Sequence, residues 1–180
     1  MVDKWWVITG PTVSQFLEGK VPDYLGRYYD DMLRWSDEEL EKCHDQVQWC
    51  FPLHEESKHS LVHPVVTKEI AEGISQTALE NLLKATDRYR RFFGIGKYKD
   101  SKKQARWCKD RDHNLLRITR IIRCLRLFGL DSHAREFYKD VSVAAFGRPI
   151  SSTTIAFWHD ALHNDPWSPL QKEPPSELQD

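Results

Sequence analysis

The sequence predicts an all-α fold: a compact helical domain of about six to eight helices around a central arginine-rich helix. Three observations carry this. Apolar residues recur at helical spacing over two long stretches, 76–93 and 113–128. Helix punctuation brackets them, with Ser75 before the first and Gly94 and Gly129 after the two. No apolar–polar alternation persists long enough to argue for a sheet.

Residues 1–11 read as an extended arm that ends at Gly10-Pro11 and docks through Trp5, Trp6 and Ile8. Thr12 can cap a short helix through Phe16 and Leu17, which Gly19 stops. Pro22 and Gly26 mark loop, and Asp30 to Trp35 form a short turn or helix. Ser36-Asp37-Glu38-Glu39 is a capping box, in which the Ser36 hydroxyl and the Glu39 carboxylate satisfy each other's backbone donors. The helix it opens is predicted to run to Cys50 on a stripe of Leu40, Cys43, Val47 and Cys50, and Pro52 ends it. His54 to Pro64 is a polar loop. Thr67 caps a helix through Ile70 and Ile74, and Ser75 caps the next, with Leu79, Leu82, Leu83, Tyr89 and Phe93 at core spacing. Residues 96–111 are basic and partly loop. After the 113–128 helix, Ser132 caps another through Phe137, Val141 and Ala145, and Pro149 follows its end. Ser151 or Ser152 starts the last, through Phe157 and Leu162. One helical domain over 1–164 and a flexible proline-rich tail over 165–180 follow from this division.

The 113–128 stretch combines the apolar content of a core helix with an arginine at every third position. With Leu115 at zero, Arg117, Arg120, Arg123 and Arg126 fall at about 200°, 140°, 80° and 20° around the helix. Leu115, Ile118, Ile121, Ile122, Leu125 and Phe128 fill the arc from about 220° to 360°. Arg117 and Arg126 border that arc and can snorkel. Arg120 lies between Leu116 and Leu127 in angle and is the one expected to be half-buried. It needs a carboxylate, for which Asp45 or Glu41 is suited, or backbone carbonyls. The functional alternative is that Arg117 and Arg120, with His113 and Asn114 at the helix start, line a pocket for an anionic ligand.

The chain has 180 residues, enough to bury roughly 70% of its unfolded surface. Seven Trp, eight Phe and six Tyr support a real core despite a mean hydropathy of −0.62. Net charge is −1, but 15 of 26 Lys and Arg fall within 84–126 against 4 of 27 acidic residues. Basic and acidic helices that neutralise each other explain this cancellation; a basic face for nucleic acid or phosphate is the other reading. Cys43, Cys50, Cys108 and Cys124 lack CxxC spacing and read as free thiols in a reducing compartment. The first residues hold no long apolar core of a signal peptide, and no window approaches 18 apolar residues, so no membrane span is expected. An intracellular, cytoplasmic protein fits.

Several constellations could carry chemistry. His44-Asp45, Asp112-His113 and His159-Asp160 are His–Asp adjacencies of the kind a metal-dependent hydrolase uses to activate water, but the dipeptide is common by chance. His54, His59 and His63 with the cysteines match no usual zinc spacing, so no metal is expected. Gly94-Ile95-Gly96 follows a helix rather than a strand and makes no phosphate loop, and no cofactor is called for. Lys97, Lys99, Lys102, Lys103, Arg106, Lys109 and Arg111, interleaved with Tyr98 and Trp107, form a connector that could follow a nucleic-acid backbone. A solvated loop is the commoner meaning of such a run.

Two segments carry a resemblance. One is His44-Asp45-Gln46-Val47-Gln48-Trp49-Cys50-Phe51-Pro52-Leu53; the other is His113-Asn114-Leu115-Leu116-Arg117-Ile118-Thr119-Arg120-Ile121-Ile122. They resemble the conserved domain of the opioid growth factor receptor family, whose signatures run close to QWLFPL and HNYLRITRIL. Phe16-Leu17-Glu18-Gly19 through Asp30-Asp31-Met32-Leu33 looks like the family's opening segment and Phe157-Trp158 like its closing helix, so the likeness covers roughly 16–163. Cys50 stands where the family usually has Leu, and Leu115 where it often has Tyr. The resemblance implies a non-enzymatic, receptor-like module that binds an enkephalin-type peptide at or near the nucleus; it implies no catalytic residues. Its motifs place a candidate ligand pocket where His44, Gln48 and Trp49 face His113, Asn114, Arg117 and Arg120. A peptide or small anionic ligand is the expected partner, with nucleic acid on the 97–126 surface as the alternative.

Overall fold

The computed structural model describes residues 6–56 and 62–169. The expectations for Trp5, His59 and residues 170–180 lie outside the described residues. Ten α-helices occur among the described residues: α1 Pro11–Leu17, α2 Tyr29–Arg34, α3 Asp37–Lys42, α4 Gln46–Cys50, α5 Lys68–Glu72, α6 Gln76–Phe93, α7 Ser101–Trp107, α8 His113–Leu127, α9 Asp131–Ala145 and α10 Ser152–His163. The fold is helical, as its periodicity predicts. The additional helices are α4, split from the helix expected over 36–50, and the seven-residue α7 within the basic stretch 96–111.

Four details depart from the sequence expectation, one of them Ser132, which lies inside α9 behind an N-cap at Leu130 rather than capping it. The arm forms a short strand, β1 Trp6–Ile8, parallel to β2 Val62–Pro64, with Val7 opposite His63. Three residues are too few for a readable alternation. The helix expected from Ser36 to Cys50 is two helices, α3 and α4, separated by Cys43-His44-Asp45. Gly10 is the N-cap of α1, with Pro11 preset for the first helical position, so Thr12 is not the cap. The expected caps Ser36, Thr67, Ser75 and Ser151 each accept a hydrogen bond from the third helical N–H. Gly94 closes α6 at φ +66°, and a Cβ there would come within 2.8 Å of the Asp100 carbonyl and Lys103 Cβ, so only glycine suits it.

An aromatic chain organises the core. Phe51 meets Tyr89 at 5.4 Å between ring centroids, Tyr89 meets Phe93 at 5.6 Å, Phe93 meets Trp107 at 5.4 Å, and Trp107 meets Trp158 at 6.5 Å. These rings tie the end of α4 to α6, α7 and α10. Helix α8 lies against both α9 and α10, with Ile118, Ile121, Ile122, Cys124 and Leu125 fully enclosed. That places the arginine-bearing helix at the centre, where each guanidinium must find a partner or an opening.

The break between α3 and α4 has a visible cause. Arg27 reaches over to Asp45 with both terminal nitrogens, at 3.1 and 2.9 Å, while its Nε donates to Asp23 at 2.6 Å. The Tyr24 hydroxyl also donates to Asp45, at 2.8 Å. Burial disfavours the Asp45 carboxylate, but hydrogen bonds from Arg27, Cys43 and Tyr24 outweigh it and hold its pKa below the ordinary range. Its stabilisation is therefore complete above about pH 4, the unfolded value, and fades as pH falls further. Asp45→Asn is expected to cost about 1–3 kcal/mol at pH 7. In urea denaturation the gap to the unmodified protein should narrow below pH 4; a constant gap at pH 7 and pH 3 would refute the assignment.

Candidate functional site

A cavity of about 800 Å³ opens between α4, α8, α10 and the segment that follows α10. The α8 wall presents Leu116, Arg117, Thr119, Arg120 and Arg123. His44, Val47, Gln48 and Leu53 form a second wall, and Phe157, Asp160 and Ala161 a third. Asn164, Asp165, Ser168 and Pro169 complete the rim. Apolar and charged groups thus share one space of the size that small ligands occupy.

Five of the seven residues singled out by sequence line this cavity: His44, Gln48, His113, Arg117 and Arg120. Trp49 and Asn114 lie elsewhere. Trp49 faces the opposite side of α4, edge-on to Phe16 at 5.0 Å, stacked on Tyr24 at 6.0 Å, with its indole N–H donating to the Val62 carbonyl. Asn114 is buried, donates to Glu41 at 3.2 Å and accepts from Arg117. His44 and His113 meet edge to face at 5.1 Å, and Glu41 lies 3.1 Å from His113 Nε2. Burial, with Arg117 and His113 close by, lowers the His44 pKa and leaves the ring neutral at pH 7.

The four arginines divide differently from the angular reading. Arg117 does not snorkel: it is 4% exposed, and its guanidinium donates to the carbonyls of Leu40 at 2.9 Å and Cys43 at 3.2 Å. These carbonyls lie at the C-terminal end of α3, where helix donors run out, so a cation is well placed there. Arg120 finds neither Asp45 nor Glu41. Asp45 belongs to Arg27, and Glu41 to Asn114 and His113. Arg120 donates once, to the Phe51 carbonyl at 3.1 Å, and has no ion pair among the described residues. Protein encloses its guanidinium except towards the cavity, and burial pushes its pKa down to about 10, so it stays charged at pH 7. Arg123 donates to the carbonyls of Pro166 and Ser168. Arg126 pairs with Asp131 and donates to the carbonyls of Leu162 and Asn164.

Neutralisation of the basic stretch is therefore uneven. Asp37 takes Arg88 at 2.9 Å, Lys103 at 2.7 Å and Arg106 at 3.7 Å. Asp140 takes Arg90, Asp87 takes Lys97, and Asp112 takes Lys109. Arg117, Arg120 and Arg123 have no carboxylate within 4 Å among the described residues, and these three line the cavity.

A family model described as "Opioid growth factor receptor (OGFr) conserved region" matches residues 19–145. The chain belongs to this family. Human opioid growth factor receptor is 32% identical over 120 residues, 59% of this chain and 18% of that protein. Opioid growth factor receptor-like protein 1 from Mus musculus and from Rattus norvegicus is 32% identical over 132 residues, 66% of this chain and 28% of theirs. The match thus spans less than a third of each curated relative's length. No solved structure matches the chain. The α4 and α8 walls of the cavity fall inside the family's matched stretch; the α10 wall and the rim at 164–169 lie beyond it.

Sequence reasoning missed that outer half. On the α8 wall it also missed Arg123, three residues beyond Arg120, and that spacing was its available signal. Asp160 belongs to one of the His–Asp adjacencies: its carboxylate lies 3.6 Å from His159 Nδ1, and the His159 ring is tilted against His163 with centroids 4.3 Å apart. Among the described residues no three His, Cys, Asp or Glu side chains gather in a metal-holding arrangement, and no helix is long and apolar enough to cross a membrane.

Proposed function

We propose that this member of the opioid growth factor receptor family is a non-enzymatic binding module whose cavity takes a peptide or another small ligand carrying an anionic group. One observation carries the reading: Arg120, charged and mostly enclosed, faces an 800 Å³ cavity with no carboxylate partner among the described residues. A cation removed from water without a counter-charge costs several kcal/mol, and an anionic ligand would recover that cost. Val47, Leu53, Leu116 and Phe157 supply an apolar lining for side chains, and Asp160 and Asp165 supply carboxylates that suit a ligand amine. The name of the human relative, a growth factor receptor, agrees with a ligand-binding role. The basic connector favours nucleic acid less, because Lys97, Lys103, Arg106 and Lys109 each have a carboxylate within 4 Å. Four free cysteines suit an intracellular setting.

The test compares an aromatic pentapeptide as free acid and as C-terminal amide, by calorimetry. The free acid is expected to bind about tenfold more tightly, roughly 1.4 kcal/mol. Arg120→Met should erase that difference while leaving the melting temperature unchanged or raised, since it removes an uncompensated charge. Equal affinity of acid and amide for the unmodified protein would sink the proposal.

A further inference from the structure

We propose that residues 165–169 form a movable gate over the cavity and that Arg123 is its latch. The inference rests on the cavity being the binding site. Asp165, Ser168 and Pro169 line the cavity, so this segment is one of its walls. Among the described residues its attachments are few. Arg123 Nε donates to the Pro166 carbonyl at 3.2 Å, and its Nη2 donates to the Ser168 carbonyl. The Trp167 ring lies 5.6 Å from His54 and 5.9 Å from the Lys68 ammonium. The His54 ring also bonds the Ser168 backbone. Within the segment, the Trp167 N–H donates to the Asp165 carboxylate and the Ser168 N–H to the Asp165 carbonyl, both at 3.0 Å. Pro166 and Pro169 have no N–H with which to anchor the backbone further. The segment is thus a small self-bonded turn, hinged after α10 and held to the body, among the described residues, by the Arg123 guanidinium, by the Trp167 indole packed at the edge of the core, and by the His54 ring, which bonds the Ser168 backbone. Such a unit opens at a fraction of the global unfolding cost.

Arg123 suits a latch. Its bonds run to neutral carbonyls, and no carboxylate lies within ion-pair distance among the described residues. The same side chain lines the cavity, so an arriving anion and the gate compete for it. Opening breaks the Arg123 hydrogen bonds, the His54 bond to the Ser168 backbone and the Trp167 contacts with His54, Lys68 and the core edge, none of which belongs to the α8 backbone.

The test needs no identified ligand. Thr119, on the α8 wall, is partly exposed within the cavity, so Thr119→Cys provides a reporter thiol. Cys50, Cys108 and Cys124 are buried, and peptide mapping separates the reporter from Cys43. Its alkylation is timed with iodoacetamide, which is neutral, and iodoacetate, which is anionic. Adding Arg123→Ala or, separately, Trp167→Ala is expected to speed labelling by both reagents about fivefold, the equivalent of about one hydrogen bond. Amide protection across α8 should stay as it was, which distinguishes an opened gate from a loosened fold. Unchanged rates in both variants overturn the gate. The site reading is judged separately: Arg120→Ala should lower the iodoacetate-to-iodoacetamide rate ratio. A ratio that holds defeats the anion site, whatever the absolute rates say about the gate.

Discussion

Arg117→Met is expected to lower stability by about 2–4 kcal/mol. For a chain of this size that is a fall of roughly 5–15 °C in melting temperature. Arg117 donates from α8 to the carbonyls of Leu40 and Cys43, some 75 residues earlier in the chain, and closes the end of α3. Methionine matches its stem but leaves those carbonyls without the cation that caps them. The Asn114 side-chain amide oxygen, which accepts from Arg117 at 3.3 Å, loses this donor as well. Arg120→Met, one turn along the same helix, is the control. It removes a charge with a single backbone partner and should cost nothing measurable. Thermal unfolding of the two variants side by side decides the matter. Equal melting temperatures would mean that the two arginines do not divide into a structural and a ligand-facing group.

That division shows how far the sequence reaches. Caps at Ser36, Thr67, Ser75 and Ser151 were legible because each uses atoms within three residues. The extents of α6 and α8 were legible because long amphipathic periods leave little choice. The α3–α4 break was not, because a continuous stripe of Leu40, Cys43, Val47 and Cys50 is compatible with one helix. What interrupts it is Arg27 holding Asp45 and Arg117 holding two carbonyls, and neither partner is encoded nearby. Backbone carbonyls leave no mark in a residue pattern, which is why the partners of Arg117 and Arg123 cannot be read from it, and why the expectation for Arg120, a carboxylate or backbone carbonyls, does not single out the Phe51 carbonyl that it finds. The α4 and α8 sides of the cavity were legible through the family motifs, whereas Trp49 and Asn114 lay in those motifs and face elsewhere. The α10 side depends on which face of α10 meets α8, and with a weakly polarised helix only packing decides that.

Packing of α10 turns on Trp158, and Trp158→Ala is expected to have the largest effect of any single truncation in that helix, about 3–5 kcal/mol. The side chain is fully enclosed, meets Trp107 and donates from its indole N–H to the Leu115 carbonyl at 3.1 Å. Alanine leaves a void between α7, α8 and α10 that neighbouring rings cannot fill without shifting off their rotamers. Trp158→Phe should cost much less, about 1 kcal/mol, because the Leu115 carbonyl keeps the Thr119 hydroxyl at 3.2 Å and most of the ring volume remains. The consequence reaches the cavity. Phe157, Asp160 and Ala161 flank Trp158 on α10, and the 165–169 rim continues from the same helix. In Trp158→Ala, amide exchange should therefore rise across α10 and residues 165–169 more than across α6. If α10 kept its protection while the whole protein lost stability evenly, the outer half of the cavity would be held by something other than this indole. Arg126, which donates to the Leu162 and Asn164 carbonyls, would be the next group to remove.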